Sequence, residues 1–227
     1  MTQLSIVLPV FNKVNFTMSA INDFSRLEND HEIIVIDNAS SDETQDKLSS
    51  MNRQNLVYIR NDENLFHSKA CNIGFARSKG KYVLFINNDI KVRSNHANWV
   101  DDLIKYCDDY IVGPTMGLLD NEFNFVKESN EELKGNSYLS GWCLASSREN
   151  WEKISVDNQI FCEELKFYFN DTDIGFKCRE IGMPMKVVDI PVVHFGKISA
   201  SQFNIPKLYT EARKIFVNKW SKHDTRK

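Results

Sequence analysis

The strongest constraint on the fold is the rhythm of the N-terminal part of the chain. Four apolar runs, LSIVLPV (Leu4–Val10), EIIVI (Glu32–Ile36), LVYI (Leu56–Ile59) and YVLFI (Tyr82–Ile86), are separated by stretches of helical spacing. Val14–Leu27 and Phe66–Ser78 are two such helices, the second ended by Gly80. Runs of β-branched and aromatic residues without polar alternation read as strands buried on both faces, as in a parallel sheet. Parallel strands joined through helices need right-handed crossovers, and their carboxyl ends gather on one edge. Ligands of open α/β sheets sit just beyond that edge. The expected fold is therefore α/β, a mostly parallel central sheet flanked by helices.

Polar clusters follow three of these strands: Pro9–Lys13, Asp37–Asp42 and Asn87–Asp89. Asp37 suits either a hydrogen bond to a nucleobase or ribose or a capping turn, in which Ser40 or Ser41 would open the next helix. Asp89, between amide side chains and a strand end, suits a hard divalent cation carrying phosphates. An ordinary Asn-rich turn fits the same residues. The chain has neither GxGxxG nor GxxxxGK[ST], which excludes a dinucleotide fingerprint and a Walker-type cradle. A pyrophosphate held here would need a metal to neutralise it.

The second half is less regular. Its expected elements are a helix from Ser94 through Cys107, a strand at Tyr110–Val112, a hairpin at Gly117–Phe125 and a polar loop at Glu128–Ser137. A single strand over Tyr138–Ser146 follows, then helices at Arg148–Ile154 and Asp171–Ile181 and a strand at Met185–Val188. The last helix opens at Pro206 with Leu208, Ala212, Ile215, Phe216 and Trp220 on one face. The absence of repeats and Gly/Ser linkers implies one domain over 1–227, in which a regular part (1–113), a looser part (114–203) and a C-terminal helix and basic tail (204–227) follow one another.

A net charge of −3 and a pI near 6.0 give no strong nucleic-acid signal. The five scattered cysteines lack a CxxC pair, which argues against a disulfide framework or zinc site and for a reducing compartment. With no signal-peptide pattern and no apolar run near the length of a membrane span, a cytoplasmic location is expected. Lys207–Lys227 carries seven Lys/Arg against Glu211 and Asp224, which fits a solvated helix face or a weak peripheral contact with anionic lipid.

Two further stretches bear chemistry. Asn170-Asp171-Thr172-Asp173 opens a helix after aromatic Phe167-Tyr168-Phe169, so one carboxylate is placed either to act as a general base or to satisfy the helix dipole. His194, after Val192-Val193 and before Gly196, can complete a metal site begun by a carboxylate, although a lone His is more often structural. His31, His67, His96 and His223 show no ligand-like spacing.

Together these stretches resemble the family-2 inverting glycosyltransferases of the GT-A fold, over about Leu4–Ser199. SIVLPVFN is similar to that family's first strand, which implies donor nucleotide contacts from Pro9, Val10, Phe11 and Asn12. IIVIDNASSDET resembles the second strand, whose aspartate, here Asp37, holds the base or ribose. RNDENLFHSKACNIGFARSKGKYVLFINND is similar to the Asn-x-Gly and Asn-x-Gly run into the DxD metal motif. It implies donor contacts from Asn64, Lys69, Asn72, Asn87 and Asn88 and a metal ligand at Asp89. FYFNDTDIGFKCREIG resembles the segment that carries the catalytic base, which makes Asp171 the base. Asn170, Asp173 and Trp142 of SGWC then face the sugar or acceptor, and VVHFGKIS supplies the metal ligand His194 and a loop, Gly196–Ser201, that closes over the donor. The chain departs from the pattern at Asn87, where an aspartate is missing, at Asn170 in place of Glu, and at Phe66 in place of Gly.

The resemblance implies transfer of a sugar from a nucleotide-diphosphate donor, UDP-linked first and dTDP-linked next, to a hydroxyl of a glycan or lipid-linked acceptor, as in polysaccharide biosynthesis. It implies Mn²⁺ or Mg²⁺ as cofactor. Two alternatives are a nucleotide-sugar or glycan-binding module with weakened catalysis and a sugar-phosphate nucleotidyltransferase.

Overall fold

The computed structural model describes residues 3–93, 98–196 and 203–221. The N-terminal rhythm becomes β1 (Leu4–Val10), α1 (Val14–Phe24), β2 (His31–Asp37), α2 (Thr44–Ser49), β3 (Leu56–Arg60), α3 (Phe66–Arg77) and β4 (Tyr82–Ile86). There follow β5 (Ile90–Val92), α4 (Asp101–Ile104), β6 (Ile111–Gly113), β7 (Met116–Leu119), β8 (Phe125–Ser129), β9 (Asn136–Leu139) and β10 (Cys143–Ser147). The chain continues through α5 (Arg148–Lys153), α6 (Asn170–Ile181), β11 (Met185–Val187), β12 (Val192–His194) and α7 (Ile205–Trp220).

The central sheet has seven strands in the order β11-β6-β10-β4-β1-β2-β3. β4, β1, β2 and β3 are parallel, so the ends of β1, β2 and β4 share one edge, as the alternating pattern requires. β10 runs antiparallel between β4 and β6. Two small antiparallel sheets complete the fold, β8-β7-β9 and β12-β5. Alternate residues of each strand enter two cores. Ile6, Leu8, Ile33 and Leu84 pack with Phe24 and Trp99 on one face, and Val7, Val83, Phe85 and Leu144 pack with Trp151 and Phe161 on the other.

Several local expectations change. α2 starts at Thr44 without a serine cap; Ser40 is instead used to bind strand ends together, and Asp42 accepts from the Thr44 amide at 3.0 Å. The expected helix over Ser94–Cys107 is α-helical only at Asp101–Ile104, residues 94–97 lying outside the described ones. The stretch expected to be a loop, Glu128–Ser137, contains the end of β8 and the start of β9. Tyr138–Ser146 is not one strand: it divides between β9 and β10, which belong to different sheets. The break falls at Ser140-Gly141-Trp142, and it bears directly on the site.

The final helix is held by charge as well as by its apolar face. Asp173 of α6, fully buried, sits 2.7 Å from Lys219 and 3.1 Å from Lys177 and accepts from Trp220 Nε1 at 2.8 Å. Residues 222–227 of the basic tail lie outside the described residues, whereas Lys207 pairs with Glu211 and Arg213 donates to the Glu122 carbonyl. None of the described helices is long and apolar enough to cross a membrane.

Candidate active site

A cavity of about 640 Å³ opens at the carboxyl edge of the sheet. Its walls include Pro9, Val10 and Phe11 at the end of β1, Asn64 before α3, and Asn87, Asn88 and Asp89 after β4. Trp142, Asn170, Asp171 and His194 line the same cavity. Residues from all three remote stretches thus meet in one place.

The Asp89–His194 pair is built by the β5–β12 ribbon. His194 is in register with Ile90, and the Phe195 amide donates to the Asp89 carbonyl at 2.9 Å, which locks the strand end beside the carboxylate. His194 Nε2 lies 3.2 Å from Asp89 Oδ1 and 3.5 Å from Asn87 Nδ2. Trp142 stacks on the imidazole with centroids 4.8 Å apart and planes 8° from parallel. Its indole Nε1 donates to Thr115 Oγ1 at 3.1 Å, and its carbonyl accepts from the Asn87 amide at 2.9 Å. One carboxylate oxygen facing one imidazole nitrogen fits a divalent cation. Among the described residues no third His, Cys, Asp or Glu joins them, so a cation here would draw its other ligands from phosphate or water.

Asp171 stands in the first turn of α6, in the wall of the same cavity. Its Oδ2 accepts from the Gly141 amide at 2.9 Å and its Oδ1 from the Thr172 amide at 2.7 Å. A Cβ on Gly141 would lie 2.9 Å from Asp171 Cβ, so only glycine lets the β9–β10 break approach the carboxylate. Burial raises the Asp171 carboxyl above its ordinary range, and the donated amides oppose the rise. Asp173, two residues on, is matched by Lys177 and Lys219. Burial also pushes the neighbouring Tyr138 phenol upward, with the Asp171 charge adding to it.

Five of the residues assigned from sequence lie outside the cavity wall. Asp173 is two residues, roughly 200°, around the helix from Asp171, and so faces α7 rather than a sugar or acceptor. Lys69 and Asn72 share a face of α3 that meets the loop at residues 161–163. Asn72 bonds the Phe161 backbone at 2.8 and 3.0 Å, and Lys69 lies 3.9 Å from Glu163. The buried Asp37 is already engaged: it accepts from Ser40 N at 2.8 Å, Tyr58 Oη at 2.7 Å and Arg60 Nη1 at 2.5 Å. Burial and that bond raise the Tyr58 phenol to about 12. Asn12 binds the β2 loop, its amide donating to Ser40 Oγ at 2.8 Å and its Oδ1 accepting from Ser41 N at 2.7 Å.

The wall also holds residues that sequence reasoning passed over. Asn38 donates to the Phe66 carbonyl at 3.2 Å, and its own amide donates to the Val10 carbonyl at 2.9 Å. Phe66 adopts φ of +61°, the left-handed conformation for which glycine is the usual choice, and Asn64 Oδ1 accepts its amide at 2.8 Å. Its ring and that of Phe11 lie against Phe203, with centroids 5.7 and 5.6 Å away. Phe11 was assigned to the donor from sequence; aromatic composition otherwise signals a core, so the Phe66 and Phe203 rings had no sequence signature of a cavity wall. Residues 197–201 of the loop expected to close over the donor lie outside the described residues.

Residues 5–161 match the family model described as glycosyl transferase family 2. The chain belongs to that family. Among curated relatives, an uncharacterised glycosyltransferase of Rickettsia prowazekii is 26% identical over 97% of this chain and 73% of its own length. The Escherichia coli UDP-Glc:α-D-GlcNAc-diphosphoundecaprenol β-1,3-glucosyltransferase WfaP is 23% identical over 89% of this chain and 82% of its own. An uncharacterised glycosyltransferase of Rickettsia bellii matches over 38% of this chain, which covers 13% of that protein. The GT-A fold is shared with GalNAc-T7, solved with UDP, GalNAc and Mn²⁺, at TM-score 0.65 and 16% identity over 85% of this chain and 43% of that one. The mannosyltransferase PcManGT of Pyrobaculum calidifontis, solved with GDP-Man and Mn²⁺, gives TM-score 0.59 and 14% identity, over 92% and 69% of the two chains.

Proposed function

We propose that this family-2 enzyme moves a sugar from a nucleotide-diphosphate donor to an acceptor hydroxyl by a single displacement, inverting the anomeric centre. The observation that carries the reading is that Asp171 and the Asp89–His194 pair line one and the same cavity. Asp171 accepts the proton of the acceptor hydroxyl as its oxygen attacks the anomeric carbon. Its Gly141 and Thr172 bonds aim the carboxylate, and its raised pKa makes it a stronger base than an exposed aspartate. Asp89 and His194 would hold Mn²⁺ or Mg²⁺, which when bound neutralises charge developing on the departing diphosphate. Pro9, Val10, Phe11, Asn64, Asn87 and Asn88 line the donor side, and Trp142 and Asn170 the sugar and acceptor side.

A UDP-linked donor and a lipid-linked or glycan acceptor are supported by the activity that names the E. coli relative and by the UDP held by GalNAc-T7. A dTDP-linked donor is the next candidate. The experiment is Asp171→Asn, assayed for transfer with UDP-sugars and for UDP binding by calorimetry with Mn²⁺. Transfer should fall at least about 10³-fold while UDP affinity stays within about 3-fold. Equal loss of both would overturn the base assignment.

A further inference from the structure

Glu128 lies on β8, in the stretch expected to be a loop, and has no role in the reading above. Gly117 of β7 faces both Glu128 and Tyr138, and residues in register across antiparallel strands share a face of the sheet. Tyr138, on that face, lines the cavity. The Glu128 side chain is exposed, yet it is engaged. One oxygen, Oε1, accepts from Thr115 Oγ1 at 2.9 Å and also from Ser140 Oγ. The Ser140 amide in turn donates to the Thr115 carbonyl at 3.0 Å.

These contacts fix where one proton points. An indole N–H can only donate, and a hydroxyl has a single hydrogen. Trp142 Nε1 donates to Thr115 Oγ1 at 3.1 Å, so the Thr115 hydrogen must go to another acceptor, and the Glu128 carboxylate takes it. Of the two hydroxyls that converge on Glu128, one belongs to the Ser140-Gly141-Trp142 break and the other holds it. From that break the Gly141 amide reaches Asp171, the Trp142 ring stacks on His194, and the Trp142 carbonyl accepts from the Asn87 amide. One carboxylate of the small sheet thus stands behind both the candidate base and the candidate metal pair.

We propose that Glu128 is a positioning residue, which holds the Ser140-Gly141-Trp142 break and through it sets Asp171 and His194. This rests on the transferase reading. The test measures steady-state transfer and UDP binding with and without Mn²⁺. It also follows the ¹H–¹⁵N indole resonance of Trp142 in metal-free protein, assigned by its loss in Trp142→Phe. Glu128→Ala should lower kcat about 10-fold, since a misaimed base costs rate. It should weaken UDP about 5-fold with Mn²⁺ and not without it, as loss of a group that orients a metal ligand does. Acceptor KM should stay within about 3-fold, which a direct contact between Glu128 and the acceptor would not allow. Glu128→Gln keeps a carbonyl oxygen for both hydroxyls and should stay within about 3-fold of wild type in every assay. Thr115→Val should reproduce the loss of Mn²⁺-dependent affinity, and combining it with Glu128→Ala should add nothing, because the two act in series. The Trp142 resonance should move in Glu128→Ala and Thr115→Val and stay in place in Glu128→Gln.

Glu128→Ala with wild-type kcat and Mn²⁺-dependent affinity, a glutamine variant as impaired as alanine, or a raised acceptor KM as the sole defect would each overturn the proposal. So would a Trp142 resonance that Glu128→Ala leaves unmoved. Glu128 is exposed, so its variants should melt within a few degrees of wild type, and a loss of rate is not a loss of fold. A wild-type protein without transfer activity would instead overturn the transferase reading, and the Trp142 resonance would still decide whether Glu128 holds the break.

Discussion

At the scale of single residues, the site depends on side chains whose neighbours leave them little choice of orientation. Trp142 holds His194 from one face and is itself held by Thr115. Trp142→Ala should therefore weaken Mn²⁺-dependent UDP binding roughly 10-fold, the scale at which partners that orient a metal ligand act, while Trp142→Phe keeps the stack and loses under about 3-fold. Calorimetry with and without the metal separates the two. His67, in the cavity wall, gives a pH signature. Desolvation lowers its pKa from 6.5 to about 4, so the folded state excludes a proton that the unfolded chain binds. Its contribution to stability is present above the unfolded value and is lost as pH falls toward the folded one. Between about pH 6.5 and about pH 5 that loss amounts to about 2 kcal/mol, and urea midpoints of His67→Gln should fall correspondingly less than those of wild type. Nothing in the spacing of His67 marks it, because its partners Asn170 and Phe161 come from segments distant in the chain. Asp89, Asp171 and His194 were singled out because each stands beside an apolar or aromatic run and inside a stretch that resembles a family motif, and the structure brings all three to one cavity. Asp173 was misread because a carboxylate two places from a candidate base looks equivalent in sequence, whereas the helix turns it to the opposite face.

At the scale of elements, the interruption between β9 and β10 matters more than either strand. A continuous apolar reading of Tyr138–Ser146 misses it, since alternation alone does not say when a chain changes sheets. Gly141 sits at that break with its amide on Asp171, and Gly141→Ala should push the carboxylate aside. Transfer should drop about 10- to 100-fold with the melting temperature nearly retained, because the new methyl group meets the site rather than the core. A lower melting temperature with unchanged kcat would place the strain elsewhere. β1, β2 and β4 were legible almost to the residue because burial on both faces leaves an unbroken apolar run, and β3, half-exposed at the sheet edge, was legible from its β-branched and aromatic residues. Helices α2 and α4 were not, being short and set by side-chain bonds such as Thr44 to Asp42 rather than by periodicity.

At the scale of the whole molecule, α7 is fastened to α6 through Asp173, Lys219 and Trp220, with Phe216 packed on Phe169 at 5.1 Å. Asp173→Ala would leave the buried Lys177 ammonium without its carboxylate, at a cost of about 3–5 kcal/mol. Denaturant titration should show that loss while the surviving folded enzyme keeps its donor and acceptor KM, which distinguishes an anchor from a substrate contact. The placement of β10 has a different consequence. A polypeptide ending at Gly113 would contain the whole family-like N-terminal rhythm, yet β4 would be left as a raw hydrogen-bonding border lined with apolar residues. Such a border recruits other chains. Fragments of this kind should precipitate when made alone and become soluble when co-produced with the remainder, so the protein can be divided there into two pieces that rescue each other.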